Sequence, residues 1–504
     1  MASNPFGGDC LPTRVPMFAA NGRPTLPFPH PWNFQRPIEI LETYFWDADQ
    51  ETGPGRHNRY FQCLGLDPVL VTRDPGVIRA ILTTTGDREG QFERDTLPST
   101  GIARATGEDT LLFGNGVMWR RQRKASAAPF GKTALFQVEI FEDFSDTLRK
   151  TVRERLLLLR QHLAETGQQQ LQLEIEPEIK TLMLEMLVTC FFGANIEYRE
   201  LRDHYTPALQ RVIDHIVQDT VTNRMNLSRG FLARFSRRYA QADRDFQAFE
   251  DLTDRVVAAR ATGKGLWSKF RTEASDEAIR SNIKVFLAGA LEATTSYATW
   301  AISHLARNEA WQARIFAEVG PMSKFSPENL ASAGSLNAAL EETLRLTPSL
   351  YFLPRKATAA TKVETSDGRV MEIPQGTHIL LDVWHANRHA DHWGEAVTGF
   401  PADQYAPERW EKLVEDKSRS KEFLHFGFGH GARVCPGKHL GQLEVALVVG
   451  AFVKLFHFQA VNQANPVKAG VSTKPADGTL VTISLREPSA GMENLDPLST
   501  AVTE

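Results

Sequence analysis

The stretch Phe426-Gly-Phe-Gly-His-Gly-Ala-Arg-Val-Cys-Pro-Gly437 decides how this chain is read, because three glycines lead into one arginine and one cysteine. Glycine permits a tight turn and lets a flat ligand approach the backbone closely. Pro436 suits the first position of a helix running on through Leu440, Leu443, Ala446 and Leu447. Cys435 then stands at the positive end of that helix, where free N–H groups and the dipole favour a thiolate. Taken alone, the segment also fits a plainer reading, a buried thiol in a glycine-rich turn.

Two other motifs overlap this segment and fail. Gly427-x-Gly429-x-x-Ala432 imitates a dinucleotide-binding turn, but Pro436 follows too soon for the required helix and no strand–helix alternation surrounds it. Gly431 to Gly437-Lys438 imitates a phosphate loop, but it is one residue too long and has His439 in place of Ser or Thr. A thiolate on a glycine-lined platform is instead how a protein holds heme iron, and Arg433 is placed to pair a heme propionate.

Composition narrows the classes further. The 504 residues carry 57 Lys+Arg against 61 Asp+Glu, a net charge of −4, so bulk charge recruits no nucleic acid. With 42% hydrophobic residues and ordinary Gly and Pro content, the chain is globular. Its four cysteines, Cys10, Cys63, Cys190 and Cys435, are too scattered for a disulfide framework or a paired-cysteine zinc site, and fit a reducing, cytoplasmic setting. The longest apolar run, Val445 to Phe456, is interrupted by Lys454 and falls short of the roughly 20 residues that span a bilayer. The first 31 residues hold seven prolines and no apolar signal core. The expectation is a soluble protein without a transmembrane anchor.

Residues 59–72 read as two short strands with a turn at Asp67-Pro68, and Asp74-Pro75 opens a helix. From about 117 to 320 the chain reads almost wholly helical. Its clearest element begins at Ser275-Asp276 and meets no proline before Pro321, with Ile283, Phe286, Leu287, Ala290, Leu291, Thr294, Ala298, Ala301, Ile302 and Leu305 at helical spacing. Strand-like pieces return at 350–382 and at Val481 to Leu485. The fold class is mainly α with a small β-rich lobe (α+β). A Pro-rich lead covers 1–35 and a flexible tail 488–504.

Phe428-x-x-Gly431-x-Arg433-x-Cys435-x-Gly437 resembles the heme-ligand signature of the cytochrome P450 family, and three further signatures occur in order. Glu342-Thr-Leu-Arg345 and Tyr405-Ala-Pro407-Glu-Arg409-Trp410 resemble segments whose Glu and two Arg form a buried triad in the family. Trp119-Arg-Arg-Gln-Arg123 resembles the family's propionate-binding helix, and Arg355, seven residues after Pro348, a further propionate contact. The resemblance spans at least 119–437 and implies one catalytic domain over 36–487 enclosing one heme b (iron protoporphyrin IX). It implies Cys435 as the iron ligand and Trp119, Arg123, Arg355, Phe428, Arg433 and Gly437 as cofactor contacts. The implied activity is insertion of one oxygen atom from O2 into a small apolar organic substrate. Electrons then come from a separate donor, ferredoxin or flavodoxin-like, with its reductase. Without that resemblance, Glu342 and Arg345 read as a surface pair and Trp119 as core.

Gly289-Ala290-Leu-Glu292-Ala293-Thr294 is similar to the family's small-small-x-acid-Thr segment, in which acid and hydroxyl manage proton delivery, but Ala293 stands at the usual Thr position. Glu292 and Thr294 are the catalytic candidates. One residue of shift turns a helix by about 100°, which redirects a side chain unless the helix is distorted. Ala293 leaves room for a peroxide-using or isomerising relative, and a non-catalytic heme sensor or carrier is the rival from another class. His385-x-x-x-His389-x-x-His392 has spacing that seats a metal but lacks the catalytic Glu of the usual zinc motif. Arg120, Arg121, Arg123, Lys124 and Lys132 read equally as a docking face for an acidic electron donor or as a solvated helix face. Arg229, Arg234, Arg237 and Arg238 alternate with Phe231, Leu232 and Phe235, as a solvated or membrane-touching helix does.

Overall fold

The computed structural model describes residues 4–15, 37–44, 56–62, 66–85, 91–96, 100–131, 135, 138–222, 235–262, 264–269, 276–322, 325–415 and 425–486. Lys132, Cys63, most of the lead, the tail and the Arg229 to Arg234 stretch lie outside these residues.

Helices enclose a large apolar core, and a β lobe flanks it. Asp74 caps helix Pro75–Thr84 as its spacing predicts, accepting from the N–H groups of Gly76 and Val77 at 2.8 and 3.1 Å. The main sheet has six strands in the order Thr13–Arg14, Asn58–Phe61, Val69–Thr72, His378–Asp382, Phe352–Ala357 and Phe92–Arg94. The last two run antiparallel, with Arg94 directly opposite Arg355. Gly7–Gly8 pairs with Val370–Ile373, so part of the Pro-rich lead is woven into the lobe.

Three sequence expectations need correction. The reading of 117–320 as almost wholly helical missed strand Leu171–Glu174, whose alternating Leu-Gln-Leu-Glu pairs with the C-terminal strand Leu480–Leu485. The long central helix ends at Leu305, and a separate helix Glu309–Val319 starts where the Asn308 side chain accepts from the Trp311 N–H at 3.2 Å. Helix Lys438–Leu455 begins two residues after Pro436, with Gly437 as its cap.

A buried ionic knot ties helix Gly334–Leu346 to helix Glu408–Glu415 and to the segment 387–406 before it. The Glu342 carboxylate accepts from Arg345 Nε and Nη2, each at 2.8 Å, from Arg409 Nε at 3.3 Å, from Trp410 Nε1 at 2.9 Å and from the Ala406 N–H at 3.0 Å. The remaining guanidinium donors reach the carbonyls of Asn387, Ala402, Trp393 and Pro401. All three charged side chains are fully buried, so one anion and a ring of carbonyls offset two cations in a low-dielectric site. Glu342→Gln leaves two buried cations without their counter-charge. It is expected to destabilise the fold by about 3–5 kcal/mol, measured by urea unfolding; an unfolding midpoint equal to wild type contradicts this assignment.

Candidate functional site

The cysteine segment forms a tight platform. Gly429 and Gly431 both have φ near +70°, a region open to glycine, and a Cβ on Gly431 would fall 2.2 Å from the Leu82 carbonyl oxygen. The loop therefore packs against the end of helix Pro75–Thr84. The Cys435 N–H donates to the Phe428 carbonyl at 2.9 Å, and the Phe428 ring meets Tyr297 of the central helix edge-on at 6.4 Å. Burial raises the Cys435 thiol pKa, while the Gly437 N–H and the charges of Arg123 and Lys438 pull it down. A coordinated metal cation takes such a sulfur fully to thiolate. Even a Cβ on Gly437 would lie 3.9 Å from the sulfur, which leaves the sulfur an uncrowded approach.

Four guanidinium groups converge beside this platform. Arg355, opposite Arg94 in the sheet, is fully buried; burial and the charges of Arg94 and Arg433 drive its pKa well below the ordinary arginine value. Arg433 is pushed down to about 9 by burial and then by Arg94 and Arg123, and Arg94 to about 10 by burial. Trp119 stacks under Arg433, whose Cζ lies 4.3 Å from the ring centre. Arg433 Nη2 donates to the Gly114 carbonyl and to Asn115 Oδ1, both at 2.7 Å, while Arg355 Nε donates to Thr85 Oγ1 at 3.1 Å. Among the described residues no carboxylate forms an ion pair with any of these four arginines, and the buried Nε donors of Arg94 and Arg433 have no partner. A doubly negative group edge is the counter-charge this cradle fits.

Sequence reasoning missed Arg94. Phe92-Glu93-Arg94-Asp95 reads as a short charged strand, and only the register against Arg355 puts its guanidinium in the cradle.

The oxygen-activating candidates lie on the central helix, which is α-helical over Asp276–Val285, takes one π-helical turn at Phe286–Ala290 and is α-helical again over Leu291–Leu305. Gly289, Ala290, Ala293 and Thr294 are half-buried and share one face. Thr294 Oγ1 donates to the Ala290 carbonyl at 2.9 Å, and its methyl would lie 3.7 Å from a Cβ on Gly441. Glu292 turns the other way. Its carboxylate accepts from Lys180 Nζ at 2.7 Å, Lys474 Nζ at 2.8 Å and Ser472 Oγ at 3.1 Å. Burial alone would raise the Glu292 pKa, but the two ammonium charges outweigh it and hold the carboxyl at about 2.

The histidine spacing assembles no triad of its own. His385 Nδ1 meets Asp382 at 2.7 Å, whereas His389 Nε2 lies 3.0 Å from His57 Nε2, with Asp391 alongside. Arg56 Nε and Arg73 Nε lie 2.9 and 3.2 Å from the two ring nitrogens of His57, and two guanidinium charges so close disfavour a further cation. On helix Gly116–Ala127, Arg120, Arg121 and Lys124 are exposed next to exposed Val117 and Met118.

Comparison with known proteins bears on the whole arrangement. The family model described as Cytochrome P450 matches residues 57–480. Cytochrome P450 76A1 of Solanum melongena is 30% identical over 226 residues, covering 44% of this chain and 45% of that protein. The chain thus spans under half the length of that relative. Cytokinin hydroxylase of Arabidopsis thaliana is 24% identical, covering 79% of this chain and 75% of that protein; Zealexin A1 synthase of Zea mays is 25% identical, covering 78% and 77%.

If the arginine cradle holds heme propionates, Arg94→Met should weaken heme binding as Arg355→Met does. The heme dissociation constant should rise roughly tenfold to a hundredfold, the worth of one charge-assisted bond. Transfer of heme to apomyoglobin measures it, and an unchanged transfer rate in Arg94→Met contradicts the placement.

Proposed function

Because the chain belongs to the cytochrome P450 family, we propose that it is a heme-thiolate monooxygenase that inserts one atom of O2 into a small apolar organic substrate. The observation that carries the reading is the pairing of one cysteine on a glycine platform with four arginines at its edge, Arg355 buried and the other three half-buried, none of them in an ion pair with a carboxylate among the described residues. Hydroxylase and synthase names among the relatives support it. Heme b, when bound, supplies an iron centre whose thiolate ligand favours O–O cleavage.

The residues divide the remaining work. Cys435 holds the iron, and Arg94, Arg123, Arg355 and Arg433 with Trp119 orient the cofactor through its propionates. Phe428 and Gly437 shape the platform around the sulfur. The Thr294 hydroxyl spends its proton on the Ala290 carbonyl and keeps its lone pairs free to accept from an oxygen-borne proton. The π-helical turn just before it is the local distortion that lets position 294 serve in place of Ala293. Glu292 is an anion between two ammonium groups, of which Lys180, weakened by burial and by Lys474, is the readier proton source, while Glu292 and Glu176 hold Lys474 protonated. Electrons come from a separate ferredoxin or flavodoxin-like donor and its reductase in the cytoplasm, with the exposed basic face at Arg120, Arg121 and Lys124 as the docking surface. Among the described residues no helix is long and apolar enough to cross a membrane. The catalytic domain in this reading runs over 36–487, and the strands Gly7–Gly8 and Thr13–Arg14 of the lead pair with its β lobe.

The test is turnover with an electron donor against turnover with peroxide. The reading expects product from O2 and donor electrons, and substrate-induced Soret shifts on binding. Product from peroxide alone, with none from any donor, moves the protein to the peroxide-using alternative that Ala293 permits.

Thr294→Ala should raise the peroxide released per electron consumed roughly threefold to tenfold, the worth of one hydrogen bond, with Thr294→Ser close to wild type. Glu292→Gln should slow product formation about a hundredfold without lost heme. Wild-type coupling in Thr294→Ala removes that hydroxyl from the mechanism.

A further inference from the structure

Ala293 carries no hydroxyl, yet one reaches its main chain from elsewhere. Ser349, in the segment between helix Gly334–Leu346 and strand Phe352–Ala357, donates its Oγ proton to the Ala293 carbonyl at 3.0 Å. The Ser349 side chain is buried, and its backbone is fixed from the far side: the Thr473 N–H donates to the Ser349 carbonyl at 2.9 Å, and Thr473 Oγ1 donates to the Pro348 carbonyl at 2.8 Å. Thr473 is itself held to the central helix, because Ser296 Oγ donates to its carbonyl at 2.6 Å and Trp300 Nε1 to its hydroxyl at 3.2 Å. The serine is therefore pinned in place on both sides.

Its position relative to Thr294 follows from helix geometry. Thr294 binds the carbonyl of Ala290 and Ser349 that of Ala293. Carbonyls three residues apart lie within about 60° of rotation and about 4.5 Å along the axis. Both hydroxyls thus bracket the half-buried face that carries Ala290 and Ala293. Each has the same chemistry: a donor spent on a helix carbonyl and lone pairs left to accept.

Resting on the monooxygenase reading, we propose that Ser349 supplies, from outside the helix, the hydroxyl that Ala293 lacks. It acts as a hydrogen-bond acceptor for protons arriving at the oxygen-activating face and works alongside Thr294. Ser349 is then a residue of the reaction, not only a tie between two segments.

Four variants of the heme-loaded protein test this: Ser349→Ala, Ser349→Thr, Ala293→Thr, and Ser349→Ala combined with Ala293→Thr. Product, peroxide release and electron consumption are measured with one accepted substrate, together with the C–O stretch of the reduced carbon monoxide complex and the melting temperature. Ser349→Ala is expected to raise peroxide per electron about threefold to tenfold and to shift the C–O stretch. Ser349→Thr should keep wild-type behaviour, and adding Ala293→Thr to Ser349→Ala should restore coupling. A purely structural role predicts a lower melting temperature, no shift of the C–O stretch and no rescue by Ala293→Thr, and that outcome overturns the proposal. If Ser349→Ala does not fold, Ser349→Cys, whose thiol is a weak acceptor of nearly the same shape, decides: raised peroxide per electron with a shifted C–O stretch supports the role of Ser349, and wild-type coupling with an unshifted stretch overturns it. Absence of donor-driven turnover in the wild type would instead defeat the monooxygenase reading, while an unshifted C–O stretch in Ser349→Ala would still overturn the role of Ser349.

Discussion

Arg355 is buried with half-buried Arg94 and Arg433 beside it, and their mutual repulsion is the constraint around which the site is organised. Buried like charges are costly unless a counter-charge meets them. The protein meets part of that cost with fixed acceptors: Thr85 Oγ1 and the Pro354 carbonyl for Arg355, and the Gly114 carbonyl and Asn115 for Arg433. Cation–π contacts at Trp119 and Phe113 lower it further. Glu93 and Asp95 offset part of it, and in the proposed reading the heme propionates balance the rest. Sheet register, the start of the Trp119 helix and the cysteine loop all converge on this one electrostatic requirement.

The same economy governs the other buried ions by a different route. Glu342 and Arg409 are neutralised inside the chain and serve architecture; the Glu292 cluster adds a tie to its proposed proton role, because Lys474 of the strand Thr473–Pro475 reaches both Glu292 and Glu176. That cluster fastens the C-terminal hairpin to the helix that bears Ala293 and Thr294. Ser349 is fixed through the same hairpin by Thr473. The face proposed for oxygen activation is thereby set by contacts 56 to 180 residues away in sequence.

Much of this was legible in the sequence because its signals are local. The glycine turn before Cys435 and the Asp74-Pro75 cap each lie within a dozen residues and form as read, while Glu342 and Arg345 pair on one helix face but are buried, as the family resemblance and not their spacing implies. What the sequence hid depends on long-range pairing. Arg94 joins the cradle only through its strand register, Ser349 reaches the central helix across 56 residues, and strand Leu171–Glu174 needs a partner more than 300 residues on. The direction of Glu292 was hidden for the same reason, since Lys180 lies 112 residues before it and Lys474 comes from near the C-terminal end. Thr294 stayed ambiguous because a π-helical turn has no sharp sequence signature, yet it alters which side chains face the site.

The central claim is that Cys435 is the thiolate ligand of a heme held by this cradle. The most direct measurement is the absorption spectrum of the reduced protein under carbon monoxide, recorded for wild type and for Cys435→Ala. The account predicts the strongly red-shifted Soret band of a thiolate-ligated heme in the wild type and its loss in Cys435→Ala. Persistence of that band in Cys435→Ala, or a band characteristic of nitrogen ligation in the wild type, would contradict it.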